Sequence, residues 1–416
     1  TTRMLLDSAP VVVVAAPDPP AQARAASVAV GLRAPMLTAV PGGGDDLADE
    51  VARLAAQRVL RVGEVPFTAR DGETVDAPED REDLEALTGI TFGPETEVSR
   101  DRIDDLTVHL SPDLPTLLTS GEPTAGGGAR GGDGGADGAA AGEFEPGEPA
   151  WDPADAPSVL VHDETPVASV ATAVAVGAGV AHLRAPDPRV DGGAVEAVRD
   201  VDTVVAVGPG WGTEEEFSDR VEKARTVPEL PGGGQLMFPG RRFVAAYGSP
   251  ITPVLGILGE QGPEESVERV QQLVEEYQPH SPEQVLPAFE IIGTVAATAP
   301  GPDGNFTNEW AAEACLPVID AITAAGGYPA IDLQPGMADF VDQAKIFEDL
   351  LTRPGVGLAL DPEWKLEPGQ QPGTQIGSVD AEEINRVIHW LADLTRDSGG
   401  PQTLLILHQF SSAMIT

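Results

Sequence analysis

The chain has 416 residues, 41% of them hydrophobic, which is apolar material for more than one core. Its 67 acidic residues outweigh 25 basic ones, giving a net charge of -42, and a surface that negative repels phosphate backbones and anionic membranes. Nucleic acid is therefore excluded as an expected partner, no apolar run of about 18 residues is present to insert in a membrane, and a lone cysteine, Cys315, excludes an internal disulfide or a multi-cysteine metal site.

Residues 1–120 alternate strand and helix patterns. "PVVVVAAP" (10–17) reads as a strand, "PAQARAASVAVGL" (20–32) as a proline-opened helix and "PMLTAV" (35–40) as a strand. "GGGDDLADEVARLAAQ" (42–57) follows as an acid-capped helix, then "RVLRVGE" (58–64) as a strand. Short strands between helices of about ten residues predict βαβ units on a parallel sheet. Residues 121–150 are rich in Gly, Ala and acids, bury too little to offset their ordering entropy, and read as a flexible linker or insertion. The pattern restarts over 151–238, with strands at 157–163, 180–186 and 202–210 and helices at 165–179 and 191–201. The first helix of each half ends in "VAVG", at Val28–Gly31 and Val174–Gly177, which points to a tandem duplication. The "GPGWG" turn (208–212) lacks the Lys and spacing of a phosphate cradle and reads as a plain βα turn.

"AASVAVGLRAPMLTAV" (25–40), "RVLRVGEV" (58–65) and "TVVAVGPGWGTEEEF" (203–217) resemble the cell wall-binding repeats found in tandem on clostridial and actinobacterial surface proteins. The resemblance covers about 11–66 and 158–226. It implies non-covalent attachment to a wall polymer or glycan, and so a secreted, wall-associated protein whose signal peptide is not in this chain.

Over 239–416 the predicted strands are 242–248, 286–296, 328–336, 356–364 and 403–410. Amphipathic helices at 263–277, 308–327, 338–355 and 380–400 alternate with them. The expected fold class is therefore α/β throughout: tandem βαβ repeats, then a (β/α) TIM-type barrel. Eight strands close a barrel, so five make it incomplete within this chain, with an open sheet as the alternative.

Barrel enzymes place working residues at the C-terminal strand ends. The candidates there are Tyr247, Glu290, Asp332 with Gln334, Asp361 with Glu363 and Trp364, and His408 with Gln409. Alternation along a strand predicts that Asp361 and Glu363 share a face, as do Asp332 and Gln334, with Leu358 and Leu360 facing the helices. Two carboxyl groups in one partly dry site provide the acid and the nucleophile or stabiliser of glycoside cleavage. The Asp-x-Glu of 361–363 is similar to the signature of barrel glycosidases of the lysozyme and chitinase types. That resemblance implies Glu363 as general acid, Asp361 as its steering or stabilising partner and Asp332 as helper, with Tyr247, Glu290, Gln334, Trp364, His408 and Gln409 lining the substrate. Other readings stay open: Asp361-Pro362 as a strand-breaking turn, or a surface protein that binds a wall polymer, glycan or protein without chemistry. Nothing in the pattern predicts a cofactor, and no histidine cluster supports zinc. "GPDGNFTNEW" (301–310) reads as an Asx-rich turn capping the next helix, and Cys315 as a buried, inert thiol.

Overall fold

In a computed structural model, which describes residues 1–98, 103–120, 144 and 146–416, the chain divides into two units. One comprises Thr1–Pro188 with Glu196–Val221, the other Arg189–Val195 with Glu222–Thr416.

In the first unit a short helix α1 (Thr2–Leu5) precedes β1 (Val11–Ala15), α2 (Pro19–Gly31), β2 (Met36–Thr38), α3 (Gly44–Arg53), β3 (Arg58–Val62) and β4 (Glu73–Asp76). The strands form a parallel sheet in the order β2-β1-β3-β4. Helix α2 begins where the Asp18 carboxylate accepts the Ala21 amide and prolines fill the first turn. After α4 (Arg81–Thr88) comes a shorter module, β5 (Thr96–Val98), α5 (Ile103–His109) and β6 (Leu118–Ser120). A third follows with β7 (Ser158–Val161), α6 (Val167–Ala175) and β8 (Gly179–His182). It is extended by α7 (Gly192–Arg199) and β9 (Val204–Ala206) into a sheet of order β8-β7-β9. The chain passes between units after Pro188, within α7 and within α8 (Glu214–Thr226).

In each module the strands flanking the helix are parallel neighbours. The modules interlock cyclically: α2 packs on β6, α5 on β8 and α6 on β2. Buried hydroxyls pin two of these junctions. Ser27 Oγ accepts the Leu118 amide at 2.8 Å, and Thr172 Oγ1 accepts the Met36 amide at 3.0 Å. Sequence periodicity exposes two copies of the pattern, whereas the described residues hold three modules in which a helix joins two paired parallel strands; β5 and β6, three residues each, are too short to show alternation.

The predicted linker at 121–150 falls largely outside the described residues, at 121–143 and 145. Its end belongs to the first unit. Phe144 is buried in that core with the Arg58 guanidinium 5.7 Å above its ring, and the Gly147 amide donates to Leu32 O.

The second unit runs β10 (Arg241–Gly248), α9 (Pro263–Tyr277), β11 (Gln284–Ala296), β12 (Thr307–Glu309), α10 (Leu316–Ala324), β13 (Tyr328–Leu333), α11 (Phe340–Ala344), α12 (Glu348–Leu351), β14 (Gly357–Leu360), α13 (Ala381–Asp397) and β15 (Leu405–Leu407). Five parallel strands lie in chain order, β10-β11-β13-β14-β15, and β12 pairs antiparallel with the end of β11. No pairing joins β10 to β15 among the described residues, so the five strands form a curled, unclosed half-barrel, in line with the incomplete barrel expected. The predicted helix at 308–327 is also corrected. Its first residues extend β12, Asn305 Oδ1 caps the Thr307 amide, and the helix starts only at Leu316.

Alternation sorts the two faces. Phe289, Ile291, Ile331, Leu333, Leu358 and Leu360 join Val270, Ile319, Phe340 and Val387 in the core under the helices. On the concave face, Tyr328 packs with Leu230, Met237 and Ala288, while Phe243 and Leu404 close around it. Gly357 makes room there: a Cβ would stand 2.8 Å from the Tyr328 ring and 2.9 Å from Leu404 O. The inside of the curl is thus an apolar floor, and the polar residues stand above it at the strand ends. Cys315 is buried in the helix-side core, and burial pushes its thiol up to about 11, which makes it inert.

Candidate active site

Glu290 lies on β11 and His408 just past β15, with β13 and β14 between them. Three strand spacings span about 14 Å on a flat sheet. Yet His408 Nε2 stands 2.5 Å from Glu290 Oε1, a contact that only a curled sheet permits. The curl gathers the strand ends into one mouth.

On one side of this mouth Tyr247 Oη donates to Asp332 Oδ2 at 3.0 Å, and Gln334 Nε2 donates to Tyr247 Oη at 3.3 Å. Gln334 is held in turn: its Oε1 accepts the Ala296 amide, and its own amide donates to Thr294 Oγ1. On the other side His408 Nδ1 lies 3.2 Å from Asp361 Oδ1. Asp361, Glu363 and His408 each present one donor atom within 4.8 Å of the others, as do Glu290, Asp332 and His408; these are the groups that could hold a metal.

Asp361 and Glu363 meet by a different route from the one alternation suggests. Strand β14 ends at Leu360, Asp361 follows it, and Pro362–Trp364 is one turn of 3-10 helix. Gly377 passes so close to this turn that a Cβ would clash with the carbonyls of Pro362, Glu363 and Lys365. Trp364 sits half-buried on the same turn, and Gln409 is exposed one residue past His408. Neither side chain is hydrogen-bonded to the cluster. A groove of about 770 Å³ runs elsewhere, along α13 and β15 between Ile388, Leu391, Leu405 and Leu407, and contains none of the cluster.

Four carboxyl groups share this space with one imidazole. Asp332 is fully buried; burial, then the charges of Asp361 and Glu290, push its carboxyl well above the usual range. Asp361 is 2% exposed, and burial pushes it up to about 7 against the opposing pull of His408. The hydrogen bond to Glu290 raises His408 to about 9, aided by the charge of Asp361. Burial, then the negative charge of Asp332 and Asp361, also raise the Tyr247 phenol. Lys365, the nearest lysine in sequence, is turned away to Glu383 at 2.7 Å and Ala338 O. Crowded acids with perturbed protonation at the C-terminal ends of parallel strands are what general acid–base chemistry requires. Tyr247 is 36% exposed and gives the cluster access to solvent.

No family model matches the chain, and no curated protein matches it. Among solved structures, Cwp6 from Clostridium difficile aligns with a TM-score of 0.36 and 12% identity, over 72% of this chain and 61% of that one. The chain thus spans about three fifths of that structure's length, and a likeness this distant supports no argument about activity.

Proposed function

We propose that the second unit is a hydrolase that cleaves a glycan of the cell envelope at the mouth of the curled sheet. One observation carries the proposal: acids from β11, β13 and the turn after β14 converge with His408 in a single cluster over an apolar floor. Within it Asp361 and Glu363 are the reactive pair, one protonated to help the leaving oxygen depart, the other ionised to stabilise or attack the sugar carbon. Burial favours Asp361 as the acid, in place of the Glu363 that the Asp-x-Glu resemblance suggests. His408, charged and held by Glu290, offsets part of the negative charge, and Asp332 with Tyr247 forms the opposite wall. The envelope setting is supported by the repeat-like segments at 25–40, 58–65 and 203–217, and the first unit would keep the protein on its polymer.

The test is turnover of peptidoglycan and of neutral glycans by the full chain, with Asp361→Asn and Glu363→Gln as controls. Loss of an essential acid or base costs about 100- to 10,000-fold. Equal turnover by wild type and both variants would remove the assignment. Retention on isolated walls with no turnover of any glycan would favour a binding protein instead.

A further inference from the structure

Acid–base hydrolysis leaves some features of the mouth unexplained. Asp361 is almost wholly buried, yet its Oδ1 has no hydrogen-bond donor, and Glu363 Oε2, itself buried, has none either. His408 Nδ1 is 3.2 Å from that Asp361 oxygen, near enough for a hydrogen bond but not aligned for one. Asp361, Glu363 and His408 each bring one ligand atom within 4.8 Å of the other two. Ligands of one divalent ion, bonded at about 2.1 Å, stand about 3 to 4 Å apart. Behind the ring, Nε2 is tied to Glu290 Oε1 at 2.5 Å. A carboxylate only accepts, so this contact fixes a proton on Nε2, and a cation that displaces the other proton of the charged ring binds at Nδ1. An outer carboxylate orients a metal-bound imidazole in this way.

We infer that Asp361, Glu363 and His408 form a site for one divalent transition-metal ion, with Glu290 as the positioning residue behind the imidazole. Two carboxylate oxygens and an imidazole nitrogen suit Mn²⁺ or Zn²⁺ better than Ca²⁺, which takes oxygen ligands. The inference rests on the mouth being the reactive centre and adds its regulation. A bound ion holds Asp361 and Glu363 as ionised ligands, whereas acid–base cleavage needs one of them protonated, so ion and reaction exclude each other.

The experiment is calorimetric titration of chelator-treated full chain with Mn²⁺, alongside the paramagnetic resonance of bound Mn²⁺ and a parallel Ca²⁺ titration. Salt at about 0.15 M screens the acidic surface. The expected result is one saturable Mn²⁺ per chain with little Ca²⁺ binding. Affinity falls at least about tenfold in Asp361→Asn, Glu363→Gln and His408→Gln, and about tenfold in Glu290→Gln, with circular dichroism unchanged. Absence of a saturable site, or binding that none of the four variants weakens, overturns the inference. Turnover in chelator separates the two proposals. Activity without Mn²⁺ binding removes the ion alone, and Mn²⁺ binding without activity in chelator removes the hydrolase and leaves the ion site.

Discussion

Asp332 is buried, acidic and surrounded by other acids, and its Oδ1 has no hydrogen-bond partner. A residue in that position costs stability, and proteins keep such costs where function needs them. Asp332→Asn is therefore expected to raise the melting temperature at neutral pH while altering activity, by about 1 to 3 kcal/mol of stability. A fall in melting temperature would show that the carboxyl is stabilising as it stands. Glu50 is the opposite case. It accepts from Thr2, Arg3 and Arg53, and the Arg53 hydrogen bond leads in holding its carboxyl down to about 2. An acid whose folded value lies below its ordinary one stabilises the fold above that ordinary value, near pH 4.5, and the benefit disappears as pH falls toward about 2. Glu50→Gln is expected to lower the melting temperature at pH 7 and to narrow the gap to wild type as pH drops through that window. A gap that does not change with pH would contradict the assigned interaction. The candidate residues were legible one by one, because the ends of alternating β/α strands can be located from hydrophobic pattern and barrel chemistry is known to sit there. Their partners were not: that His408 meets Glu290 across two intervening strands depends on curl, which has no local signature.

At the level of elements, the apolar floor sets the height of the mouth. Tyr328 fills the curl only because Gly357 beside it has no side chain. Gly357→Ala would press a methyl against the Tyr328 ring and Leu404 O, and a destabilisation of about 1 to 3 kcal/mol is expected from thermal melting. An unchanged melting temperature would mean that the floor is looser than the packing shown. The strand order of the second unit followed from periodicity, helped by the long amphipathic helices α9 and α13, whereas the single helix predicted at 338–355 is broken into the short α11 and α12. Several elements escaped it, among them β12, β5 and β6, for physical reasons. β12 is a three-residue strand held by pairing with β11, and β5 and β6 are stabilised by neighbouring modules rather than by their own sequence. Phe144 escaped because one aromatic residue at the end of a glycine-rich tract has no periodic neighbours, yet it is fully buried.

For the molecule as a whole, 67 acids against 25 bases make self-repulsion a global term. Raising salt from about 0.05 M to about 1 M shortens the Debye length from over 10 Å to about 3 Å. The melting temperature is expected to rise across that range, and a flat or falling response would show that paired surface charges already balance the excess. The same charge weighs on the proposed function: an acidic mouth on an acidic surface would favour a neutral or cationic glycan over an anionic one. Everything said of activity depends on one cluster built from distant segments, Glu290, Asp332, Asp361, Glu363 and His408. The decisive measurement is the turnover number of Asp361→Asn against wild type on a glycan that wild type cleaves. We predict a loss of at least about 100-fold in a protein that melts no lower than wild type; an undiminished turnover number would contradict the account.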